Sequence, residues 1–258
     1  MSYRLRVIGL CVMCAIMAQA QVWRSHLAYN NVSQIAMSAD VVYGLSDGSI
    51  FGVNKTTEKI YIYDRTSGLH GSDINCIHYD TKGKQLIIGY ASGKIDILTS
   101  SGMRYIDALY EKDMTQSKNI NNVTISGRTA YLSTHFGIQT MDLKENKLVN
   151  SYWLRPNGEE TTVLDVTLTQ DSIYAFTSDS MFIAALADNI VDYTYWKREK
   201  RSSRMQPDAE KGKHYQDKTS HWYAGGSEGI IRQTVTGRLT YKPQSPLSNI
   251  PYRLDYAQ

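Results

Sequence analysis

The sequence from Gly68 to Leu98, GLHGSDINCIHYDTKGKQLIIGYASGKIDIL, decides the fold. It contains three short apolar runs, at Ile74–Tyr79, Gln85–Tyr90 and Lys94–Leu98, and a turn with a glycine separates each run from the next. Short apolar runs bounded by such turns predict antiparallel β-strands. Three strands of this size cannot bury their own faces, so we expect the unit to stack on copies of itself.

Copies of this unit recur along the whole chain. The residue that closes the turn between the second and third strands is found at five positions, spaced by 45, 44, 43 and 49 residues: Gly48, Gly93, Gly137, Ser180 and Gly229. A period in the mid-forties with four short strands is typical of propeller blades. We therefore predict an all-β fold, a β-propeller with about five four-stranded blades. The first strand of each blade should line the central channel and the fourth should form the outer edge.

Two segments depart from the repeat. The sequence predicts that blade four ends with a strand at Val191–Trp196, whereas Lys197–Lys218 is charged and poor in apolar residues. We interpret that segment as a solvated loop before blade five, whose first strand is poorly marked; a basic docking patch is the alternative. In blade two, the fourth strand is predicted at Arg104–Leu109. The final stretch, Ser248–Tyr256, is predicted to be the first strand of a sixth blade.

Five blades and one further strand do not form a closed propeller. Closed propellers join the last blade to the first, whereas an open arc leaves the edges of its sheets without a pairing partner. We therefore expect residues 21–258 to be an incomplete β-propeller domain of a longer protein, truncated from a propeller with seven blades. Closure through a partner, or as a five-bladed ring, is the less favoured alternative.

Residues 1–20 have the features of a signal peptide. Arg4 and Arg6 precede an apolar run, Val7–Met17, and a small-x-small cleavage site, Ala18–Ala20. The run is too short to span a bilayer, and no later segment is long and apolar enough to do so. We therefore expect export through the Sec pathway to the periplasm or the cell surface.

The charge of the chain argues against a nucleic-acid partner. The formal net charge is +3, and two of these charges leave with the leader. Export also removes Cys11 and Cys14, so Cys76 is the one cysteine of the predicted mature chain. Since it lies inside a strand pattern, we interpret it as a small buried hydrophobe rather than a reactive thiol.

The unit in blade two resembles the two-component-regulator propeller repeat. The residues that match its pattern are Gly68, Leu69, Ile74, Ile77, Asp80, Gly83, Ile88, Gly89 and Gly93. The stretch VWRSHLAYNNVSQIAMSADVVYGLSDGSIFGV, residues 22–53, is similar to the opening of the PorZ-like family of the type IX secretion system. The stretch SPLSNIPYRL, residues 245–254, resembles the start of a later blade in that family.

The resemblance implies a non-enzymatic binding propeller. Members of the family act in a surface attachment complex that receives secreted proteins and joins them to anionic lipopolysaccharide, so the implied partners are other secretion-complex proteins and a lipopolysaccharide glycan. Full-length members carry two propellers and a C-terminal sorting domain. The resemblance here covers the first propeller, which implies that residues 21–258 are the incomplete N-terminal β-propeller domain. The alternative is the periplasmic ligand-sensing propeller of a hybrid two-component regulator, which shares the repeat. A propeller lyase or glycosidase is a third hypothesis, and it would need acidic residues close together on one face.

Catalytic and metal-binding signatures are absent from the sequence. There is no G-x-S-x-G, H-E-x-x-H or P-loop motif and no cysteine pair for zinc, and no two of the six histidines lie four residues apart. We predict no catalytic residue, no cofactor and no metal site.

One constellation follows from the repeat itself. The residues just before the five turn-closing positions are Asp47, Ser92, Phe136, Asp179 and Glu228. Equivalent positions of a propeller lie on one face, so three acidic groups and an aromatic ring could meet sugar hydroxyls or a cation there. The alternative is that these residues only form the hairpin turns. Trp153 and Trp196, 43 residues apart, are predicted to pack between blades, with exposed carbohydrate platforms as the alternative.

Overall fold

The computed structural model describes residues 29–200 and 211–243, which contain five four-stranded sheets. Blade one has β1 (Val32–Met37), β2 (Val41–Ser46), β3 (Ser49–Asn54) and β4 (Ile60–Tyr63). Blade two has β5 (Ile74–Asp80), β6 (Gln85–Tyr90), β7 (Ile95–Thr99) and β8 (Gly102–Ile106). Blade three has β9 (Ile120–Ser126), β10 (Thr129–Thr134), β11 (Gly137–Asp142) and β12 (Lys147–Tyr152). Blade four has β13 (Asp165–Leu168), β14 (Ser172–Phe176), β15 (Ser180–Ala185) and β16 (Lys197–Lys200), and blade five has β17 (His214–Gln216), β18 (His221–Ala224), β19 (Ile230–Thr234) and β20 (Gly237–Tyr241).

Each sheet is an antiparallel meander in which the strands pair in chain order. Three short 3-10 helices, Arg65–Ser67, Pro156–Gly158 and Tyr193–Tyr195, lie in the connections. The prediction of an all-β chain built from four-stranded propeller blades is confirmed.

First strands lie on the inside of the arc and fourth strands on the outside. β1 contacts β5, β5 contacts β9, and β9 contacts β13, so the first strands of successive blades are neighbours. β6 is buried along its whole length, whereas every residue of β16 is exposed. This gradient arises because inner strands are covered by other blades on both faces, while an outer strand has a free edge.

The apolar core consists of separate layers between neighbouring blades. Leu45 and Ile50 of blade one pack with Ile77 and Ile88 of blade two. Similar layers join blades two and three and blades three and four. Because a blade has an apolar face on each side, burial of each isoleucine or leucine contributes roughly 1.5–3 kcal/mol only where another blade covers it.

Blade five packs against blade one. The backbones of Val32 and Gly226 exchange two hydrogen bonds of 2.8 and 3.1 Å, and Trp222 and Ile230 share an apolar layer with Phe51. Among the described residues, no apolar layer joins blade four to blade five. The spatial order is therefore five, one, two, three, four, and the ring is not closed.

The outer strand of blade four and the inner strand of blade five differ from their predicted positions. Residues 191–196 contain a 3-10 turn rather than a strand, and the fourth strand is β16, inside the segment that was predicted to be a solvated loop. The same segment supplies β17. Both strands are short and polar, and β16 is charged throughout. They are held by backbone pairing with β15 and β18, so they lack an apolar pattern. In blade two, β8 ends at Ile106 because Leu109 turns into the core.

Several predictions fall outside the described residues: the signal peptide 1–20, the start of the domain at 21–28, and the strand of a sixth blade at 248–256. Within residues 29–200 and 211–243, no helix has the length and hydrophobicity that crossing a bilayer requires.

Candidate functional site

The five predicted site residues occupy equivalent turns. Each turn joins the second and third strands of a blade, so the turns lie on one face, which we call the turn face (Asp47, Ser92, Phe136, Asp179 and Glu228). Four of the five turn-closing residues are glycines with positive φ, for example 87° at Gly93 and 139° at Gly137, whereas Ser180 in blade four is not in this region. At Gly137 a Cβ atom would also overlap the carbonyl oxygen of Tyr152, which explains why glycine closes this turn.

The acidic side chains of the turn face are anchored to their own blades. Asp47 Oδ2 accepts a hydrogen bond of 3.0 Å from the backbone N–H of Asn30. Asp179 forms an ion pair of 2.9 Å with Arg198, and Glu228 forms one of 2.7 Å with Arg238. Hydrogen bonds from Ser180 and Thr177, with the charge of Arg198, lower the pKa of Asp179, so this carboxylate is ionised at neutral pH.

The aromatic residue of the set does not reach the surface. Phe136 is 0% exposed and packs against Trp153, with ring centroids 5.1 Å apart. The prediction that an aromatic ring lies exposed on this face is therefore wrong, because the side chain turns into the layer between blades two and three. The Ser92 hydroxyl is also buried and has no hydrogen-bond partner among the described residues. What the turn face presents is acidic groups, two of them paired with arginines.

Both tryptophans serve the packing of blades. Trp196 is 7% exposed, its Nε1–H donates to the carbonyl of Ile190 at 2.9 Å, and its ring lies 6.3 Å from Tyr152 of the preceding blade. Trp153 packs on the layer between blades two and three. The packing interpretation of this pair is confirmed, although Trp196 precedes its strand instead of ending it.

Cys76 is buried against its neighbours in blades two and three. Burial raises the pKa of its thiol to about 12, so the group is protonated at neutral pH and is not a nucleophile. Among the described residues, no three His, Cys, Asp or Glu side chains are placed to hold a metal ion.

Sequence reasoning missed a buried acid in blade two. Asp96 is fully buried in β7, and its carboxylate accepts hydrogen bonds from the Tyr90 hydroxyl at 2.5 Å and from the His70 backbone N–H at 2.9 Å. His70 Nδ1 lies 2.8 Å from the same carboxylate, and the imidazole stacks on Tyr105. The one signal in the sequence is an acid at the centre of the apolar run IDIL. The network orders the connection before β5.

Polar side chains link the inner strands at the centre of the arc. Lys211, just before β17, places its Nζ 2.6 Å from Asp165 of blade four and also donates to Thr124 of blade three. The carbonyl of Gly212 accepts from Ile35 of blade one, and Gln34 accepts from Ile77 of blade two. The start of blade five therefore contacts the inner strands of three other blades.

Comparisons with known proteins agree with this architecture. A family model described as the N-terminal β-propeller domain of PorZ of the type IX secretion system matches residues 42–197. The chain is similar to the solved structure of PorZ from Porphyromonas gingivalis, described as an essential bacterial surface component of that system, with 24% identity and a TM-score of 0.61. The alignment covers 87% of this chain and 29% of that one.

A second structural similarity concerns the extracellular domain of a B. thetaiotaomicron protein described as a hybrid two-component system. Identity is 13%, the TM-score is 0.55, and the alignment covers 84% of this chain and 35% of the other. At this identity the similarity concerns the fold alone. None of the curated proteins compared with the chain matches it.

Proposed function

The chain belongs to the family of PorZ N-terminal β-propeller domains of the type IX secretion system, and from this premise we propose that it is a non-enzymatic binding module of an attachment complex at the periplasmic or outer surface. It is a β-propeller module of that secretion system. The proposed partners are other proteins of the complex, an anionic lipopolysaccharide glycan, or both. The observation that carries the proposal is the family match, which runs from blade one to the start of β16.

The turn face is the surface we assign to this recognition. Asp47, Asp179 and Glu228 offer carboxylate oxygens that accept hydrogen bonds from sugar hydroxyls or from donors on a protein. Arg198 and Arg238 are about half exposed and offer cations to an acidic ligand. Because each arginine already pairs with a carboxylate at the protein surface, a ligand anion would exchange one exposed ion pair for another at little cost.

The test is a change of binding when the turn face loses its carboxylates. Asp47→Ala, Asp179→Ala and Glu228→Ala are combined in one variant, and a second variant carries Asn, Asn and Gln at these positions to keep the turn hydrogen bonds. Binding to purified anionic lipopolysaccharide and to immobilised secretion-complex proteins is measured by biolayer interferometry. We expect both variants to bind a protein partner that donates hydrogen bonds to the carboxylates about tenfold more weakly, a change of about 1.4 kcal/mol. We expect them to bind anionic lipopolysaccharide more tightly, because Arg198 and Arg238 lose the carboxylates that pair with them.

The matched control removes acids from the opposite face, with Asp171→Ala and Glu145→Ala. It should bind like the unmodified protein, and both the control and the Asn, Asn and Gln variant should keep the unmodified melting temperature within about 2 °C. The alanine variant should melt lower, because Asp47 has a positive φ of 48° and its side chain accepts from the Asn30 N–H. Unchanged binding by both turn-face variants would remove this assignment.

The alternative function is a periplasmic ligand-sensing propeller of a hybrid two-component regulator. Its support is the fold shared with the extracellular domain of such a protein. Sequence downstream of residue 258 in the parent genome distinguishes the two hypotheses. A second propeller and a β-sandwich would support the secretion module, and a membrane span with a kinase would support the sensor.

A further inference from the structure

A trough crosses the face opposite the turn face, between blades one and two. Its outer part has a volume of about 680 Å³ and its inner part about 430 Å³. Met37, Tyr79 and Thr81 line both parts, so the two adjoin each other. The trough leads from the outer blade edges to the mouth of the central channel at His78. Each part lies within the size range of ligand sites, about 300–1,000 Å³.

The floor of the outer part is an aromatic cluster. The ring of Tyr43 lies 6.3 Å from that of Tyr79 in a stacked arrangement and 5.9 Å from that of Tyr63. Val41 and Leu98 complete the apolar lining. Burial raises the pKa of all three tyrosines, so their hydroxyls are neutral donors and acceptors at physiological pH. Such a floor accommodates a bulky apolar side chain and hydrogen-bonds the polar groups beside it.

The rim of the trough carries uncompensated positive charge. Lys82 and Lys84 lie on the exposed turn between β5 and β6, and neither forms an ion pair with any described residue. The nearby carboxylate of Asp80 is buried and is engaged by the Lys82 backbone N–H and by Gln85. Asp40 is the one exposed acid among the residues that line the outer part. The lysine side of the rim therefore favours a negatively charged ligand group.

The inner end offers a neutral hydrogen-bonding group. Burial, together with the charge of Lys211, lowers the pKa of His78 to about 4, so the imidazole is uncharged at neutral pH. An uncharged imidazole both donates and accepts hydrogen bonds, which suits the backbone amides of an extended chain. An extended peptide advances by about 3.3–3.6 Å per residue, so a few residues would fill an elongated trough of this kind.

We propose that this trough binds an extended peptide segment of another protein, with a bulky apolar side chain on the tyrosine floor and a neighbouring acidic residue on the Lys82–Lys84 rim. A pyranose would need an open ring face to stack on, whereas Tyr43 is 9% exposed and has tyrosine rings on two sides. The site is distinct from the turn face and does not rest on the function proposed for that face.

The test uses fluorescein-labelled nonapeptides with Phe, Leu or Ser at the centre and Glu, Lys or Ser beside it, titrated by fluorescence polarisation. We expect peptides with a central Phe or Leu and a flanking Glu to bind at least about tenfold more tightly than the Lys-flanked set. Lys82→Glu with Lys84→Glu should reverse this preference, so that the Lys-flanked peptides bind the variant. Tyr79→Ala should weaken every apolar peptide.

The matched control is the pair Lys144→Glu and Lys147→Glu, the same charge change at exposed positions of blade three. It should leave the preference unchanged, and melting curves should show that every variant is folded. The proposal is overturned if no peptide binds at about 1 mM, or if the paired lysine substitutions leave the charge preference as it was. Binding of hexameric oligosaccharides that Tyr79→Ala abolishes, without any peptide binding, would instead assign the trough to sugars.

Discussion

At the scale of single residues, the buried carboxylate of Asp96 depends on all of its partners. Tyr90, the backbone of His70 and the His70 imidazole surround it, and the carboxylate has no contact with water. A charge in such a site is tolerated only while donors surround it, and removing it leaves those donors without an acceptor.

We expect Asp96→Ala to lower the free energy of unfolding by about 3 kcal/mol, because the Tyr90 hydroxyl and the His70 ring lose their shared partner. Urea denaturation followed by fluorescence measures this change. Asp171→Ala, at an exposed turn, is the control and should change the unfolding free energy by less than about 0.5 kcal/mol. Equal stability of the two variants would contradict the role given to the network.

The repeat could be predicted from the sequence, but the hydrogen-bond network around Asp96 could not. Glycines at positions that need left-handed backbone, such as Gly93, can be recognised in the sequence by their regular spacing. Asp96 and His70 are 26 residues apart and belong to no local motif, so only the folded blade brings them together. Phe136 shows the converse error. Its turn was placed correctly, but the direction of its side chain is set by the packing of Trp153 and not by its position in the repeat.

At the scale of strands and sheets, blade five gives a direct comparison of its two faces. Trp222 is fully buried against blade one, lies under Arg232 with 5.1 Å between the guanidinium and the ring, and donates its Nε1–H to Asp217. Tyr223, the next residue, points to the other face and is 38% exposed. Alternation along β18 therefore separates a residue in an inter-blade layer from one on an uncovered face.

We expect Trp222→Ala to lower the free energy of unfolding by about 3–5 kcal/mol, because a large cavity opens between blades five and one. Tyr223→Ala is the matched control on the same strand and should cost less than about 1 kcal/mol. Chemical denaturation of the two variants measures the difference. A similar cost for both would mean that blade five is not held against blade one in solution.

The strands that escaped prediction share one physical property. β16 and β17 are stabilised by backbone pairing with a single well-packed neighbour, and their side chains are mostly exposed. An apolar pattern reports burial, so it cannot report a strand that buries little. The tyrosine trough could not be predicted from the sequence for another reason. Tyr43 and Tyr79 belong to different blades and come into contact only when these blades stack.

At the scale of the whole molecule, the centre of the arc places a histidine close to the positive charge of a lysine. His78 is half-buried near the positive charge of Lys211, and both effects lower its pKa from 6.5 to about 4. The unfolded chain therefore binds one proton more than the folded chain between about pH 4 and 6.5. The contribution of the neutral His78 to the free energy of unfolding is fully present above pH 6.5 and is lost as the pH falls toward 4.

We expect His78→Asn to flatten this dependence. Between pH 7 and pH 4.5 the unmodified protein should lose up to about 3 kcal/mol more than the variant, because the pKa of His78 is about 4 in the folded chain and 6.5 in the unfolded chain. Urea unfolding of both proteins across this range gives the difference. Carboxylates such as Asp217, whose pKa is also lowered, titrate in both proteins and so cancel in the comparison. Parallel pH profiles would contradict the burial of a neutral His78.

The contact between blade five and blade one also constrains the order of assembly. Phe51 and Trp222, which share one apolar layer, are about 170 residues apart. A nascent chain that grows at about 5–20 residues per second leaves the Phe51 side of blade one without its cover for on the order of ten to thirty seconds. Of the three described sheets that are covered on both sides, blade one is thus the first to leave the ribosome and the last to have its second side covered. Chaperones that shield apolar surface would have most to protect at that sheet.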